Sequence, residues 1–260
     1  MTAMTEAELG EAIQWEAGQY IPFDIEEVKI DFQVLDSDPN TGNLNVLLVA
    51  VKRDLIAEYT SIISQAGLTP TLMEIDAFCV QNAYENNYPI NGNEITALLN
   101  VGASTTNITV LKGTNPLFWR DIQAGGNNYT DTLQREMSLT FEQAEQIKKG
   151  EPVEGVRAEQ AIPILNAVTE EFGGELKKNL DFFRVTTGEQ AIHKMVLSGG
   201  GTQVPNLDRY LSQFFGLPVE IMNPFANIHV DEKEFPLETV NRLAPSFAVA
   251  VGLALRKMGE

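Results

Sequence analysis

Four short stretches carry residues whose types and spacing suit a phosphorylated ligand. In "NVGASTT", Gly102 separates two apolar runs. A glycine between two strands lets the backbone approach a ligand, and the hydroxyls of Ser104, Thr105 and Thr106 can donate to phosphate oxygens; the same stretch is also what a plain hairpin turn requires. Gly125 and Gly126 precede a helical pattern, and free N–H groups at a helix N-terminus bind anions, although a double glycine is equally an ordinary tight turn. In "GELKKNLDFF", Glu175 and Lys178 lie three apart on one helix face, as a surface ion pair or as a pair that grips a ribose. "LSGGGTQVPNL" sets Gly199, Gly200 and Gly201 between a strand and a helix, a denser run than a turn needs, which would let the backbone lie flat against a planar base or sugar. Asn100 stands just before Gly102. A carboxylate there could hold a Mg²⁺-bound water or orient an attacking water, whereas a neutral amide bonds without supplying the charge. The expected chemistry is binding without turnover, and no residue is assigned as catalytic.

Composition narrows the partners. The chain has 260 residues, with 36 Asp+Glu against 18 Lys+Arg, a formal net charge of −18. So acidic a surface repels phosphate backbones and anionic lipid, which argues against nucleic acid and against direct membrane insertion. Cys79 is the only cysteine, and the two histidines, His193 and His229, lie far apart, so no metal site is expected. Cys79 sits in the apolar run "IDAFCV" and should be core; a lone reduced thiol suits a cytoplasmic setting. The opening "MTAMTEAELGEAIQWEAG" lacks the basic and apolar regions of a signal peptide. The longest apolar stretch, Leu243 to Leu255, is too short to span a bilayer and reads as one buried helix.

The elements that would position these residues follow from periodicity. Leu9, Ile13 and Ala17 make a helical stripe, opened by a Thr5–Glu8 capping box. "VKIDFQVL" alternates as a half-buried strand and "LNVLLVAV" reads as a buried one. "RDLIAEYTSIISQAG" is a helix ending at Gly67. "LTPTLMEID" reads as a further strand and "AFCVQNAYENN" as a helix. Residues 1–75 are therefore expected to form a small α+β unit, 76–93 a connecting helix and linker ending in "YPINGN", 94–235 a larger α/β domain, and 236–260 a closing helix. Within the larger domain, strands flank Gly102, "NPLFWRDIQA" is a third strand, a helix follows Gly126, a short one ends at Gly150, and a long one runs from about 164 to 184. "EPVEGVRAEQAIP" reads as irregular.

The order strand–Gly turn–strand, Gly-Gly–helix, E-x-x-K, strand–GGG–helix resembles the second half of an actin/Hsp70-type ATPase fold. With "WEAGQYIPF", "NVLLVAVKRDLIAEYTSIISQAGLTPTLMEIDAFCVQNAYE", "FWRDIQAGGNNYTDTL" and "LAPSFAVAVGLALRKM", essentially the whole chain resembles the PilM family, actin-like cytoplasmic proteins of type IV pilus assembly related to the division protein FtsA. The resemblance implies an α/β fold with an inserted α+β subdomain, N-terminally incomplete. It implies a nucleotide site at Asn100, Gly102, Ser104, Thr105, Gly125, Gly126, Glu175, Lys178 and Gly199 to Gly201, taking ATP or ADP with Mg²⁺. It implies an adaptor peripheral to the inner membrane, whose partners are the cytoplasmic tail of a PilN-like membrane protein and other pilus platform proteins. The family's usual aspartate at the hairpin is Asn100 here. The closing helix is expected to pack on the first domain, and self-association as a homo-oligomer is expected of its apolar surface. The competing readings are a hydrolysing actin-like or sugar-kinase-like enzyme and an FtsA-like filament former.

Overall fold

The structure, a computed structural model, describes residues 1–2, 4–37, 41–189 and 191–256. The chain divides into two compact units, Met1–Met73 and Glu74–Glu260.

In the first unit, helix α1 (Glu6–Ala17) starts at Thr5, whose hydroxyl accepts from Glu8 N while the Glu8 carboxylate accepts from Thr5 N, so two orphan donors are satisfied reciprocally. Its stripe Leu9, Ile13 and Ala17 is buried with Val28. Strands β1 (Val28–Ser37) and β2 (Leu44–Lys52) pair antiparallel with a bulge between Val34 and Asp36. Helix α2 (Arg53–Gln65) stops where Gly67 takes φ +78°; the N–H of Gly67 reaches Ser64 O and that of Leu68 reaches Ile63 O, a Schellman closure. None of α2 is buried. Leu68 to Ile75, expected as a strand, form no regular structure. The stretch is interrupted by Pro70, which cannot donate to a ladder, and strand pairing in this unit is confined to β1 and β2 among the described residues.

The second unit is built on one sheet of order β5-β4-β3-β6-β7. Strands β3 (Ile95–Val101), β4 (Thr106–Lys112) and β5 (Asn115–Ile122) form an antiparallel meander, while β6 (Lys194–Ser198) and β7 (Val219–Ile221) add in parallel. Strand parity sorts the side chains. Ile95, Ala97, Leu99 and Val101 of β3, with Met195 and Leu197 of β6, face a core completed by helices α4 (Gly126–Met137), α6 (Ala158–Thr187) and α7 (Leu207–Phe215). Helix α6 lays down one stripe there: Val168, Phe172, Leu176, Leu180 and Phe183. Leu98 and Val196 face the opposite way, toward helices α3 (Asp76–Asn87) and, at the end of the chain, α9 (Ala248–Ala254). Helix α5 (Phe141–Lys148) closes a small third cluster around Leu133, Ala144 and Ile147.

Two expectations about helices change. Helix α6 begins well before 164 and carries Pro163 in its second turn, where a missing N–H costs one helical bond near an end that is partly unpaired anyway. The closing apolar run is not one helix. Helix α8 (Leu237–Leu243), a 3-10 turn over Ala244–Phe247 containing Pro245, and α9 follow one another. One side of α9 is covered inside this unit, where Ala248 and Val251 pack with Val80, Ala83 and Tyr84 of α3, while Leu253 stays exposed. At their crossing the backbones touch: a Cβ placed on Gly252 would lie 1.7 Å from Cys79 O. Among the described residues no helix is long and apolar enough to cross a membrane.

Candidate functional site

Three of the four chemistry-bearing stretches converge at the carboxyl end of β3. The hairpin Gly102–Thr105 joins β3 to β4, with Gly102 N–H donating to Thr105 O at 3.0 Å. The first turn of α4 then docks directly onto this hairpin. Gly126 N donates to Gly102 O (2.9 Å) and Asn127 N to Ala103 O (2.7 Å), while Gly125 N is taken by Asn128 Oδ1 (2.8 Å). A Cβ on Gly125 would sit 2.6 Å from Gly102 O. The double glycine therefore serves backbone-to-backbone approach. The N–H groups expected to be free for an anion are spent on the hairpin carbonyls.

The glycine run after β6 is pressed onto the same strand end. Gly199, at φ +87°, would bring a Cβ within 2.4 Å of Val101 O, and Gly201 one within 2.4 Å of Val101 Cγ1. Gly199 N donates to Pro245 O at 2.8 Å. Close packing against β3 and the 3-10 turn thus explains Gly199 and Gly201 without a ligand. Gly200 alone keeps an open side, its nearest neighbour there being Ser246 Oγ at 3.7 Å.

Of the hairpin hydroxyls, Thr106 is fully buried and donates to Ala124 O at 2.7 Å, so its donor is committed to the fold. Ser104 is exposed; its oxygen accepts from Asn127 Nδ2 at 2.9 Å, which leaves its own O–H to donate elsewhere. Thr105 is half-buried. Glu175 and Lys178 pair with each other on an exposed stretch of α6. Asn179 Nδ2 also donates to Glu175 O, at 2.9 Å. Theirs is the ion-pair reading of the two left open by the spacing, and an exposed pair of this kind adds little stability.

Asn100 is embedded in a feature that inspection of single motifs did not reveal. Its Nδ2 donates to Asn107 Oδ1 (3.0 Å), Asn107 Nδ2 donates to Asp121 Oδ1 (2.7 Å), and Ser198 Oγ donates to Asn100 Oδ1 (3.3 Å). The four residues are in register on adjacent strands, Ser198↔Asn100, Asn100↔Asn107 and Asn107↔Asp121. They lie on the face opposite Leu99 and Val101. Strand parity in the sequence gives each residue its face, but not the register that joins the four.

Behind α4 lies a partly buried ion pair. Lys148 Nζ contacts Glu145, Thr130 Oγ1 (2.9 Å) and Gly126 O (3.4 Å). Burial raises the Glu145 carboxyl, but the hydrogen bonds from Lys148 and Thr130 and the charges of Lys148 and Lys149 outweigh it and hold it below the usual carboxylate range. Cys79, 1% exposed, has its thiol pushed up to about 12 by burial, with the Glu74 and Asp76 carboxylates adding to the shift and Arg256 opposing it.

A Mg²⁺ ion, implied by the resemblance, does not fit these donors. Magnesium takes hard oxygen ligands in a near-octahedral shell. Here Asn100 Oδ1 is engaged by Ser198, and among the described residues no three His, Cys, Asp or Glu side chains form a group that could hold a metal. A nucleotide fits in part, through the free donors of Ser104, Asn100 and Asn107 and the open side of Gly200.

An antiparallel meander extended by parallel strands, with glycine loops gathered at one end of the sheet, defines an actin-like ATPase fold. Solved structures agree on that class. The ethanolamine utilization protein EutJ from Carboxydothermus hydrogenoformans superposes with TM-score 0.57 at 19% identity, over 79% of this chain and 61% of its own. MreB 5 of Spiroplasma citri, bound to AMPPNP, gives 0.54 at 14%, over 79% and 64%. Within that class the chain belongs to the type IV pilus assembly protein PilM family, whose model matches residues 1–258. It is also similar to a chain of the PilM-PilN type IV pilus biogenesis complex, with TM-score 0.84 and 29% identity over 98% of this chain and 74% of that one.

Proposed function

We propose that this chain is a non-hydrolysing adaptor of the type IV pilus assembly platform, which holds the cytoplasmic tail of a PilN-like inner-membrane protein and binds a nucleotide weakly. The observation that carries the reading is the likeness, along nearly its whole length, to a chain from a PilM-PilN complex. The first unit supports it. Trp15 (86% exposed), Tyr20, Tyr59 and Ile62 present large apolar groups that a lone soluble unit has no use for. Residues 1–75 are assigned on this reading to the inserted subdomain of the family, and 94–235 to its second large domain. Turnover is not expected, because Asn100 supplies no charge to an attacking water; loss of one well-placed transition-state stabiliser alone costs on the order of 10²–10³ in rate.

Titration of the purified chain with a fluorescent peptide of the PilN-like tail tests this. Saturable binding should weaken by about tenfold in Tyr59→Asp, as expected when a charge enters an apolar contact. Absence of binding up to ~100 μM peptide, a range in which even weak specific contacts register, would reject the adaptor reading. ATP turnover near the ordinary enzyme range of ~10 s⁻¹ would reject its non-hydrolysing part.

A further inference from the structure

The row Ser198–Asn100–Asn107–Asp121 has a fixed direction. A carboxylate can only accept, so the Asn107 group that meets Asp121 is Nδ2–H. Asn107 therefore turns Oδ1 toward Asn100, whose Nδ2 must donate. Asn100 Oδ1 is left facing Ser198, whose hydroxyl donates. One carboxylate on the edge strand sets the orientation of two amides and a hydroxyl across four strands.

That direction decides what the site can offer. Asn100 Oδ1 is closed in, bonded by Ser198 and lying 2.7 Å from where a Cβ on Gly199 would be. What remains on Asn100 is its second Nδ2–H, and Asn107 likewise keeps a second Nδ2–H. Ser104 adds a hydroxyl whose oxygen is already used as an acceptor. The free groups on Asn100, Asn107 and Ser104 are thus donors. Donors suit an anionic oxygen directly, whereas a divalent cation needs acceptors. The Asp121 carboxylate is one amide and two hydrogen bonds, of 2.7 and 3.0 Å, from Asn100 Nδ2, so its repulsion of an anion is weaker at Asn100 than at Asn107 and salt screens part of it.

We infer that this hairpin takes a terminal phosphoryl oxygen directly, with no bridging Mg²⁺, and that Asp121 is the positioning residue that orients Asn100 to do so. The inference rests on the nucleotide part of the proposed function.

Isothermal titration of the full chain with ATP, with adenosine and with tripolyphosphate, each in Mg²⁺ and in EDTA, tests it. ATP should bind with the same affinity in both buffers, within about threefold. Asp121→Asn frees both amides to flip. It should weaken ATP and tripolyphosphate by about tenfold, the scale of one hydrogen bond to a charged group, and leave adenosine unchanged. Asn100→Asp should bind ATP poorly in EDTA and regain affinity with Mg²⁺, a split that a purely structural role would not produce; circular dichroism and melting show whether each variant is folded. Wild-type ATP binding that tightens about tenfold or more with Mg²⁺ overturns the inference and leaves the nucleotide reading standing. Should ATP fail to bind while tripolyphosphate binds in EDTA, the nucleotide reading falls, and the inference with it as far as a nucleotide's phosphoryl group is concerned. If neither binds, both fall.

Discussion

Replacing Gly252 by alanine should loosen the second unit by about 3 kcal/mol. The added Cβ would lie 1.7 Å from Cys79 O, 2.4 Å from Cys79 C and 2.8 Å from its Cα, all backbone atoms of α3 that cannot swing aside. Restoring an ordinary contact requires α9 and α3 to part by roughly 1.5 Å, and a gap of even 0.5–1 Å forfeits a quarter to a half of a dispersion well. The side chains held between the helices include Val80, Ala83, Ala248 and Val251. At about 2 kcal/mol per buried valine and about 0.8 per methyl group, loss of half of that burial gives ~3 kcal/mol. For a unit of this size each kcal/mol moves the melting temperature by about 2–4 °C, so a fall of about 6–12 °C is expected. Trp119 is the probe, because it packs edge-on against Phe78 of α3 at 6.1 Å. Its emission should report the earlier transition; Trp15 lies in the other unit and can be removed to isolate the signal. A Gly252→Ala transition within 1 °C of wild type would refute the argument that the two backbones are in direct contact.

The opposite result is expected at Gly174, inside α6, where a Cβ meets nothing within 4 Å: Gly174→Ala should stabilise by about 0.5–1 kcal/mol in urea melts. Glu145→Gln removes the partner of the buried Lys148 ammonium and should cost about 2 kcal/mol at pH 7 by chemical denaturation. Since the folded Glu145 carboxyl is depressed, its contribution is complete above the unfolded value of about 4.3 and vanishes as pH falls through the folded one. The gap between wild type and variant should be flat from pH 6 to 8 and close in acid. The Cys79 thiol, pushed up to about 12, should resist maleimide at pH 8 in the native chain and react at once in urea. Because its raised value favours the neutral thiol, that contribution to stability is complete below the unfolded value of about 8.5 and is lost as pH rises beyond it.

Local chemistry made much of the fold legible. Thr5 and Glu8 announced α1, Gly67 and Gly150 ended helices at positive φ, and alternate positions of β3 showed which face was core. Where the sequence misled, an interaction of longer range or a Pro was responsible. Leu- and Thr-rich 68–76 looked like a strand, but a strand needs a partner, and Pro70 interrupts it. Pro163 suggested a break that the start of a long, well-packed helix tolerates. The site was legible as a set of loops and not as a mechanism. Gly125, Gly126, Gly199 and Gly201 were read as openings for a ligand, yet each is explained by another backbone at van der Waals distance or less from its missing Cβ or by a neighbouring side chain there. Asn107, Asp121 and Ser198 escaped notice because their meaning lies in register across four strands, which no spacing along the chain encodes.

The cross-strand row also has a history within each folding event. Asn100 meets Asn107 only 7 residues on, but meets Ser198 at a separation of 98. Closing the longer loop costs about 2 kcal/mol more chain entropy than closing the hairpin. The β3–β4–β5 meander, with Asp121 already orienting both amides, can therefore assemble early, while β6 must return across α4, α5 and α6 before Ser198 seals Asn100 Oδ1. Pulse-labelled hydrogen exchange should find the amides of β3 facing β4 protected before those of β6; simultaneous protection would mean that the sheet forms as one step. On a ribosome the same order means that the polar row waits until Ser198 of these 260 residues has emerged, so a nascent chain arrested before β6 would hold the hairpin and its carboxylate without a finished site.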